Sequence, residues 1–444
     1  MVSGTGNKLN ILLISSGTPT DSSPRMVLDM VGSLKMGGHD VDLLLKYPIN
    51  NSSVNIIPAL SRKHVIRDVF YYQANRRVNK IKKLLNVNDN KPDFNYYFNN
   101  NSSNDEARPA VPSSLIVSKI KKQYDLVLVF FWKDMVTSKT LQDIYDKLQA
   151  PIFLIVADMF PMTGGCSYFW DCRNFEQGCG KCPALQSNDE NDFTRRAFLY
   201  KQQVYNNINC VFLGNNWMLK HAKKTNLFKN MDTIYPVINE NIFKPQDKRE
   251  LKTRHGLADK TVLFIGSVHV TEERKGFKYL VEALHLLYQN APQLSNDVVL
   301  VIAGLASIDL QSFFDFKVIQ TGSLPYDTLA EYYAMVDIYL SGSIQDAGPM
   351  MINQALMCGT PVVAFDIGTA CDLVNSKTGY LARYLDVNDF SDGILQLISL
   401  SDEKKSVMYQ QCRQAALATS SYQAFENQVY KVYNNLPKNL QTIL

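Results

Sequence analysis

The sequence predicts an α/β protein with parallel sheets, and three observations lead there. Short, fully apolar runs such as Leu126 to Phe131, Ile152 to Val156 and Val362 to Phe365 have the length and composition of strands buried on both faces. Segments of helical period separate them, and the chain opens with a βαβ unit. At 444 residues it is too long for one compact core, so two domains are expected. A composition of 46% hydrophobic and 20% charged residues is that of a soluble globular protein. The net charge of +4 gives no indication of a nucleic-acid partner. No window of about 18 uninterrupted apolar residues predicts a membrane span, and no charged-then-apolar leader opens the chain. Eight cysteines without a leader fit a reducing cytoplasm better than a disulfide framework.

Met1 to Asn7 is polar and is expected to be disordered. Leu9 to Ile14 reads as the first strand and Ser15 to Pro19 as its loop. A helix follows over Pro24 to Lys35, Gly37-Gly38 stops it, and His39 to Leu45 is the next strand. Asp40 and Asp42, spaced like a metal-binding pair, sit at a strand start and read as structure. Residues 61–86 hold Arg62, Lys63, Arg67, Arg76, Arg77, Lys80, Lys82 and Lys83 among apolar residues at helical spacing. That pattern fits peripheral contact with an anionic membrane, or a solvated surface helix with one buried stripe. Residues 86–114, rich in Asn, Ser, Asp and Pro, are expected to form a mobile surface excursion.

Ala157 to Cys166 opens a segment in which Cys166, Cys172, Cys179 and Cys182 fall within seventeen residues. A Cys-x-x-Cys pair with glycine between makes a thiolate knuckle, and four sulfurs suit a closed structural zinc site. Reduced thiols packing a loop are the alternative. Near Tyr235 to Asn239 the pattern changes, and a second αβ series runs from Thr261 to about Ile398. Its first strand leads into Gly266-Ser267-Val268-His269-Val270-Thr271-Glu272-Glu273-Arg274-Lys275-Gly276, ahead of a helix over Phe277 to Tyr288. Arg274 and Lys275, at a strand's carboxyl end, can neutralise a diphosphate leaving group; a solvated basic loop is the bland reading.

The most informative stretch is Gln345 to Phe365, read as an acidic loop, a short helix, a glycine stop at Gly359 and a buried strand. Gly348 permits close approach of a ligand, and Pro349 suits a first helical position. A helix start at the carboxyl edge of a parallel sheet is a seat for a diphosphate. Asp346 and Gln354, eight residues apart, bracket it.

This stretch resembles the sugar-nucleotide signature of the family-four retaining glycosyltransferases of the GT-B fold. It matches at Asp346, Gly348, Pro349 and Cys358 to Val363. The four-cysteine segment is similar to a Thr-Gly-Gly-Cys insertion in a subset of that family. The resemblance implies two Rossmann-like domains facing each other across a cleft. The first, residues 1–236, would be acceptor-side and carry the cysteine segment at 158–185. The second, 237–420, would bind the nucleotide sugar, and a C-terminal helix, 421–444, would pack back on the first.

It further implies that Lys275, with Arg274, holds the diphosphate, that Asp346 contacts the sugar and that Gln354 holds the ribose. Backbone N–H groups of Met350, Met351 and Ile352 would complete the cradle, and Gly266, Gly348 and Asp158 would also bind the donor. The implied activity is metal-independent, retaining transfer from a nucleotide-diphosphate sugar to a saccharide or polyprenyl-linked acceptor. A role in surface polysaccharide such as capsule or lipopolysaccharide would follow, in the cytoplasm or at the inner membrane face.

The chain departs from the family at four places. Gln354 stands for Glu, Ala157 for a His that touches the donor sugar, Ser267 for an Arg, and Ser22-Ser23 for two glycines ahead of Arg25. These changes motivate a second reading, a catalytically weak GT-B protein that acts as a nucleotide-sugar-binding or regulatory partner. A sugar-nucleotide epimerase on the same fold fits the cysteine segment poorly.

Overall fold

The computed structural model describes residues 8–16, 23–49, 53–61, 63–64, 106–109, 111–132, 135–306, 308–348 and 350–437. The basic segment 65–86 and most of the polar excursion 86–114 lie outside the described residues, as do Ser22 and Pro349. The chain divides into two compact units. One holds the residues up to Gly214, Leu219–Thr233 and the chain from Gln428 onward; the other holds Asn215–Met218 and Ile234–Asn427.

In the first unit the strands are β1 (Asn10–Ser15), β2 (Asp40–Leu45), β3 (Asn55–Pro58), β4 (Leu126–Phe130), β5 (Ile152–Ile155), β6 (Cys210–Gly214) and β7 (Asn230–Thr233). They form one parallel sheet in the order β3-β2-β1-β4-β5-β6-β7. The helices between them are α1 (Ser23–Met36), α2 (Ser113–Lys119), α3 (Ser138–Leu148), α4 (Phe193–Asn207) and α5 (Asn216–Lys223), of which the last counts with this unit from Leu219 on. Strands β4, β5 and β6 are buried throughout, which explains why they read as unbroken apolar runs. After α1, Gly38 adopts φ +89° and turns the chain into β2. Asp192 caps α4 by accepting from the N–H groups of Thr194 and Arg195.

Asp40 and Asp42 are structural here. Asp42 is buried and accepts from the Tyr124 hydroxyl (2.6 Å) and Asn55 Nδ2 (3.0 Å), and Lys122 bridges both carboxylates. His39 is structural too: its Nδ1 accepts from the Leu9 N–H, and its ring stacks on Tyr430 at 5.9 Å.

The second unit repeats the plan. Its strands are β8 (Thr261–His269), β9 (Val298–Leu305), β10 (Lys317–Gly322), β11 (Ile338–Ser341), β12 (Val362–Phe365) and β13 (Gly379–Ala382). All pair in parallel in the order β10-β9-β8-β11-β12-β13. The helices are α6 (Lys248–Arg254), α7 (Phe277–Asn290), α8 (Tyr326–Met335), α9 (Met350–Met357), α10 (Ala370–Leu373), α11 (Val387–Ile398) and α12 (Asp402–Ser420); the last helix, α13 (Tyr422–Asn435), is divided at Gln428, from which it counts with the first unit. The core of this unit runs through Val262, Phe264, Val301, Tyr333, Ile352, Leu356 and Val362.

The order of each sheet reverses next to its first strand, between β1 and β4 in one unit and between β8 and β11 in the other. In open parallel sheets the crevice beyond the carboxyl ends at such a reversal is where ligands bind. Among the described residues no helix is long and apolar enough to cross a membrane.

Candidate functional site

In the second unit, β8 and β11 flank the reversal, and the residues that leave their carboxyl ends are the basic loop and the acidic loop singled out in the sequence. A 3-10 turn over Glu273–Lys275 ends at Gly276, which has φ +66°. A Cβ at Gly276 would stand 1.8 Å from the Gly342 carbonyl oxygen, so only glycine lets the basic loop pack against the strand end. The Arg274 carbonyl then accepts from the N–H groups of Ile344 (2.9 Å) and Gln345 (3.3 Å), tying the two loops together.

Four charged side chains meet there. Asp346 Oδ2 accepts from Lys275 Nζ at 2.5 Å and from Arg274 Nη1 at 3.0 Å. Its Oδ1 accepts from the Gly348 N–H at 3.1 Å. Arg274 is also held by Glu272 through Nε (2.5 Å) and Nη2 (3.2 Å). Burial pushes the Asp346 carboxyl up, but Lys275, Arg274 and the Gly348 N–H together hold it below the usual carboxylate range. The cluster sets two cationic side chains against two carboxylates.

Helix α9 starts a few residues beyond, and its first N–H groups, from Met350 to Ile352, lack acceptors within the helix. Gln354 lies on the same helix, 2% exposed, and its Oε1 has no protein partner. Gln345, 4% exposed, has an equally unpartnered Nε2. Two buried polar atoms of this kind next to an ion cluster are what a site looks like when its hydrogen bonds belong to a ligand.

Two sequence expectations are refined. The space above Gly348 is taken by the protein itself, since a Cβ there would meet Thr369 Oγ1 at 2.3 Å and Asn215 Nδ2 at 3.0 Å. Gly266 sits within β8, and a Cβ on it would be 2.1 Å from the Met351 methyl; its bareness makes room for that side chain.

Residues that sequence reasoning missed complete the loop. Asn215 donates to the Ala347 carbonyl and to Thr369 Oγ1 (3.1 Å), fixing the backbone between Asp346 and Gly348. The Tyr384 hydroxyl donates to the Ile344 carbonyl (2.9 Å). Their separations in sequence carry no local signal. Ser267 donates to the His269 carbonyl (3.0 Å), and His269 is exposed.

In the first unit, a cavity of about 150 Å³ opens at the carboxyl ends of β4 and β5, lined by Phe131, Trp132, Ala157, Asp158, Phe160 and Tyr168. Phe131 holds a left-handed backbone (φ 45°), which for a bulky residue costs about 1–2 kcal/mol and marks a place of constraint. Asp158 Oδ1 accepts from the Phe160 N–H (2.9 Å). The ring of Trp132 meets that of Phe160 edge-on at 5.8 Å.

Next to this cavity the four-cysteine segment folds with only short 3-10 turns. Its Phe169 and Phe175 rings pack on His221, at 5.0 and 6.4 Å. Burial depresses the His221 pKa to about 4, with Arg173, Lys224 and Lys220 adding repulsion and Glu176 opposing. The unfolded imidazole takes its proton near pH 6.5. Stability is therefore full above that pH and declines as pH falls towards 4, by roughly 3 kcal/mol in all. Between pH 7 and 5, wild type is expected to lose about 2 kcal/mol more unfolding free energy than His221→Phe. Equal losses in a denaturant titration would show that His221 is not the group responsible.

Comparison with known proteins adds the following. Residues 259–400 match the family described as Glycosyl transferases group 1. N-acetyl-alpha-D-glucosaminyl L-malate synthase of Bacillus anthracis is 22% identical over 198 residues, 42% of this chain and 50% of that protein. 2-Deoxystreptamine glucosyltransferase of Streptomyces kanamyceticus is 28% identical over 145 residues, 30% of this chain and 35% of that one. The chain thus spans half or less of the length of these relatives. Among solved structures, HepE of Anabaena in complex with UDP-glucose has a TM-score of 0.61 at 13% identity, covering 96% of this chain and 100% of that one. Sucrose-phosphate synthase of Thermosynechococcus elongatus has a TM-score of 0.60 at 15% identity, covering 96% and 98%. The fold is the GT-B fold, with two Rossmann-like parallel-sheet domains.

Proposed function

We propose that the chain is a glycosyltransferase of the group 1 kind, moving a sugar from a nucleoside-diphosphate sugar to a saccharide or lipid-linked acceptor. The observation that carries this reading is the Arg274–Lys275–Asp346 cluster at the sheet reversal, beside the start of α9 and the buried, unpartnered Gln354 Oε1. Two cations and the first-turn N–H groups of a helix suit a diphosphate. Gln354 Oε1 is an acceptor for a ribose hydroxyl.

Asp346 and Glu272 hold the cations in place before the donor arrives, so little reorganisation is needed when charge develops on the leaving group. In the transfer, the bond between the sugar's anomeric carbon and the phosphate oxygen breaks as an acceptor oxygen attacks the same face. The acceptor's proton goes to the departing phosphate, and the configuration is retained. Lys275 and Arg274 stabilise the diphosphate charge without a metal. Transfer of this kind to a surface-polysaccharide precursor at the inner membrane face is the context we favour, following the likeness of the four-cysteine segment. The aromatic cavity suits the acceptor, since sugar C–H faces stack on rings.

Gln354→Leu is expected to raise the donor KM about tenfold with kcat little changed, the signature of lost uniform binding. Gln354→Glu should keep the wild-type KM or lower it. Steady-state kinetics with the best donor decides this, and an unchanged KM in Gln354→Leu would remove the residue from the donor site.

The second reading, a nucleotide-sugar-binding or regulatory partner of low activity, is favoured by Ala157, which offers the first-unit cavity a methyl group and no hydrogen bond. A donor panel with measured nucleotide release separates the two: release that depends on acceptor supports a transferase, and saturable binding without release supports the partner.

A further inference from the structure

The geometry points to a structural tetrathiolate metal site, of the kind that holds Zn²⁺, formed by Cys166, Cys172, Cys179 and Cys182 in the first unit. The inference is independent of the transferase reading, because it rests on how one loop closes.

All four side chains line a single cavity of about 20 Å³, although they come from two separate arms of the segment. That is space for one atom-sized occupant. All four are free thiols. The other cysteines, Cys210, Cys358, Cys371 and Cys412, lie elsewhere and none lines this cavity.

A backbone N–H group is directed at one of the four sulfurs. The Gly164 N–H donates to Cys179 Sγ at 3.2 Å. A neutral thiol is a weak acceptor and a thiolate a strong one, so N–H donation to sulfur is part of the second layer expected around metal-bound thiolates.

The backbone is bent to produce this arrangement. Gly178, Cys179, Gly180 and Lys181 have φ of 93°, 62°, 90° and 45° in succession. Two of these are not glycine, and each costs about 1–2 kcal/mol in that conformation. The packing is tight on both arms. A Cβ at Gly164 would stand 2.2 Å from the Thr194 carbonyl oxygen, and one at Gly180 would stand 2.3 Å from that of Glu190. A strained segment with no strand or α-helix of its own needs a staple. A metal bound by four thiolates supplies that energy directly.

Among the described residues no three of His, Cys, Asp or Glu already stand close enough to share an ion. Binding would therefore draw the sulfurs inward by closing the cavity. Four protein sulfurs and no open position make the site structural rather than catalytic. Its consequence lies next door: Ser167 and Tyr168, between the first two cysteines, line the aromatic cavity, and the Ser167 carbonyl accepts from the Met159 N–H (2.9 Å).

The test is the metal content of the purified full chain under reducing conditions, by elemental mass spectrometry, with Cys179→Ser and Cys371→Ser as comparators. One zinc per chain is expected in wild type and in Cys371→Ser, with loss in Cys179→Ser. In case Cys179→Ser fails to fold, wild type exchanged with Co²⁺ should show the intense visible absorption of tetrahedral cobalt thiolate. No bound metal together with no uptake of Zn²⁺ or Co²⁺ would overturn the proposal. So would intact-mass evidence that the four cysteines pair as disulfides in the isolated protein.

Discussion

Lys275→Ala is expected to lower donor turnover about 100- to 1,000-fold, the usual cost of removing one preorganised group from a site where charge develops. The reasoning starts from geometry. Lys275 closes a 3-10 turn that only Gly276 can end, and its Nζ is held at 2.5 Å from Asp346 Oδ2. It is thereby fixed at the start of α9, where the diphosphate would lie. Its loss leaves Arg274 as the sole partner of Asp346 within the cluster, so Asp346 competes with the phosphate for the remaining cation. The fall should appear in kcat and, with a raised donor KM, more strongly in kcat/KM, since Lys275 both binds the diphosphate and stabilises its charge as it leaves. Lys275→Arg should recover only part of it, because a planar guanidinium does not replace a point charge. Wild-type turnover in Lys275→Ala, with an unchanged melting curve, would exclude the lysine from the chemistry.

The largest effect on stability is expected at Lys201. This lysine is fully buried, and Glu106, its ion-pair partner at 3.5 Å, is 3% exposed. Lys201 Nζ also donates to the carbonyls of Phe160 (2.6 Å) and Thr163 (3.0 Å) and lies 3.6 Å from the centre of the Phe160 ring. Glu106 in turn accepts from the Ser138 N–H (2.8 Å) and hydroxyl (2.7 Å). Removing the lysine leaves the buried carboxylate without its cation and takes a charged donor from two carbonyls. Lys201→Met should therefore cost about 3–5 kcal/mol, lowering Tm by roughly 10 °C. Adding Glu106→Gln should restore part of the loss, because the stranded charge is then gone. A Tm unchanged by Lys201→Met would mean that the pair is open to water. The same lysine supports the turn over Phe160–Met162, so weaker acceptor binding is expected alongside the stability loss.

Much of the fold was legible because strands buried on both faces in parallel sheets read as unbroken apolar runs. β1, β4, β5 and β12 are of that kind. The edge strands were not legible, and the physical reason is exposure. β3 (NIIP), β7 (NMDT) and β10 (KVIQTG) are only partly buried, and their residues carry neither an apolar run nor a regular alternation.

The site divides in the same way. Arg274, Lys275, Asp346 and Gln354 stood out as candidates because each sits in a contiguous motif beside a strand end. Asn215 could not, since it reaches Ala347 across 132 residues and Thr369 across 154, and no local pattern records such a contact. Glu272 was visible as part of the basic loop, but its grip on Arg274 through two hydrogen bonds is a matter of geometry. The unpartnered Oε1 of Gln354 is likewise a statement about burial, and it makes a departure from the family pattern intelligible as a hydrogen-bond acceptor.

The most direct measurement is binding of UDP- and GDP-sugars to the wild-type chain and to Lys275→Ala by titration calorimetry, followed by nucleotide release with and without membrane-extract acceptor. Saturable binding of one donor, weakened in the variant, with release that requires acceptor, is the predicted result. Failure of every donor to bind a folded wild-type chain would contradict the assignment of the cluster as a diphosphate site. Equal binding by Lys275→Ala would place the donor elsewhere.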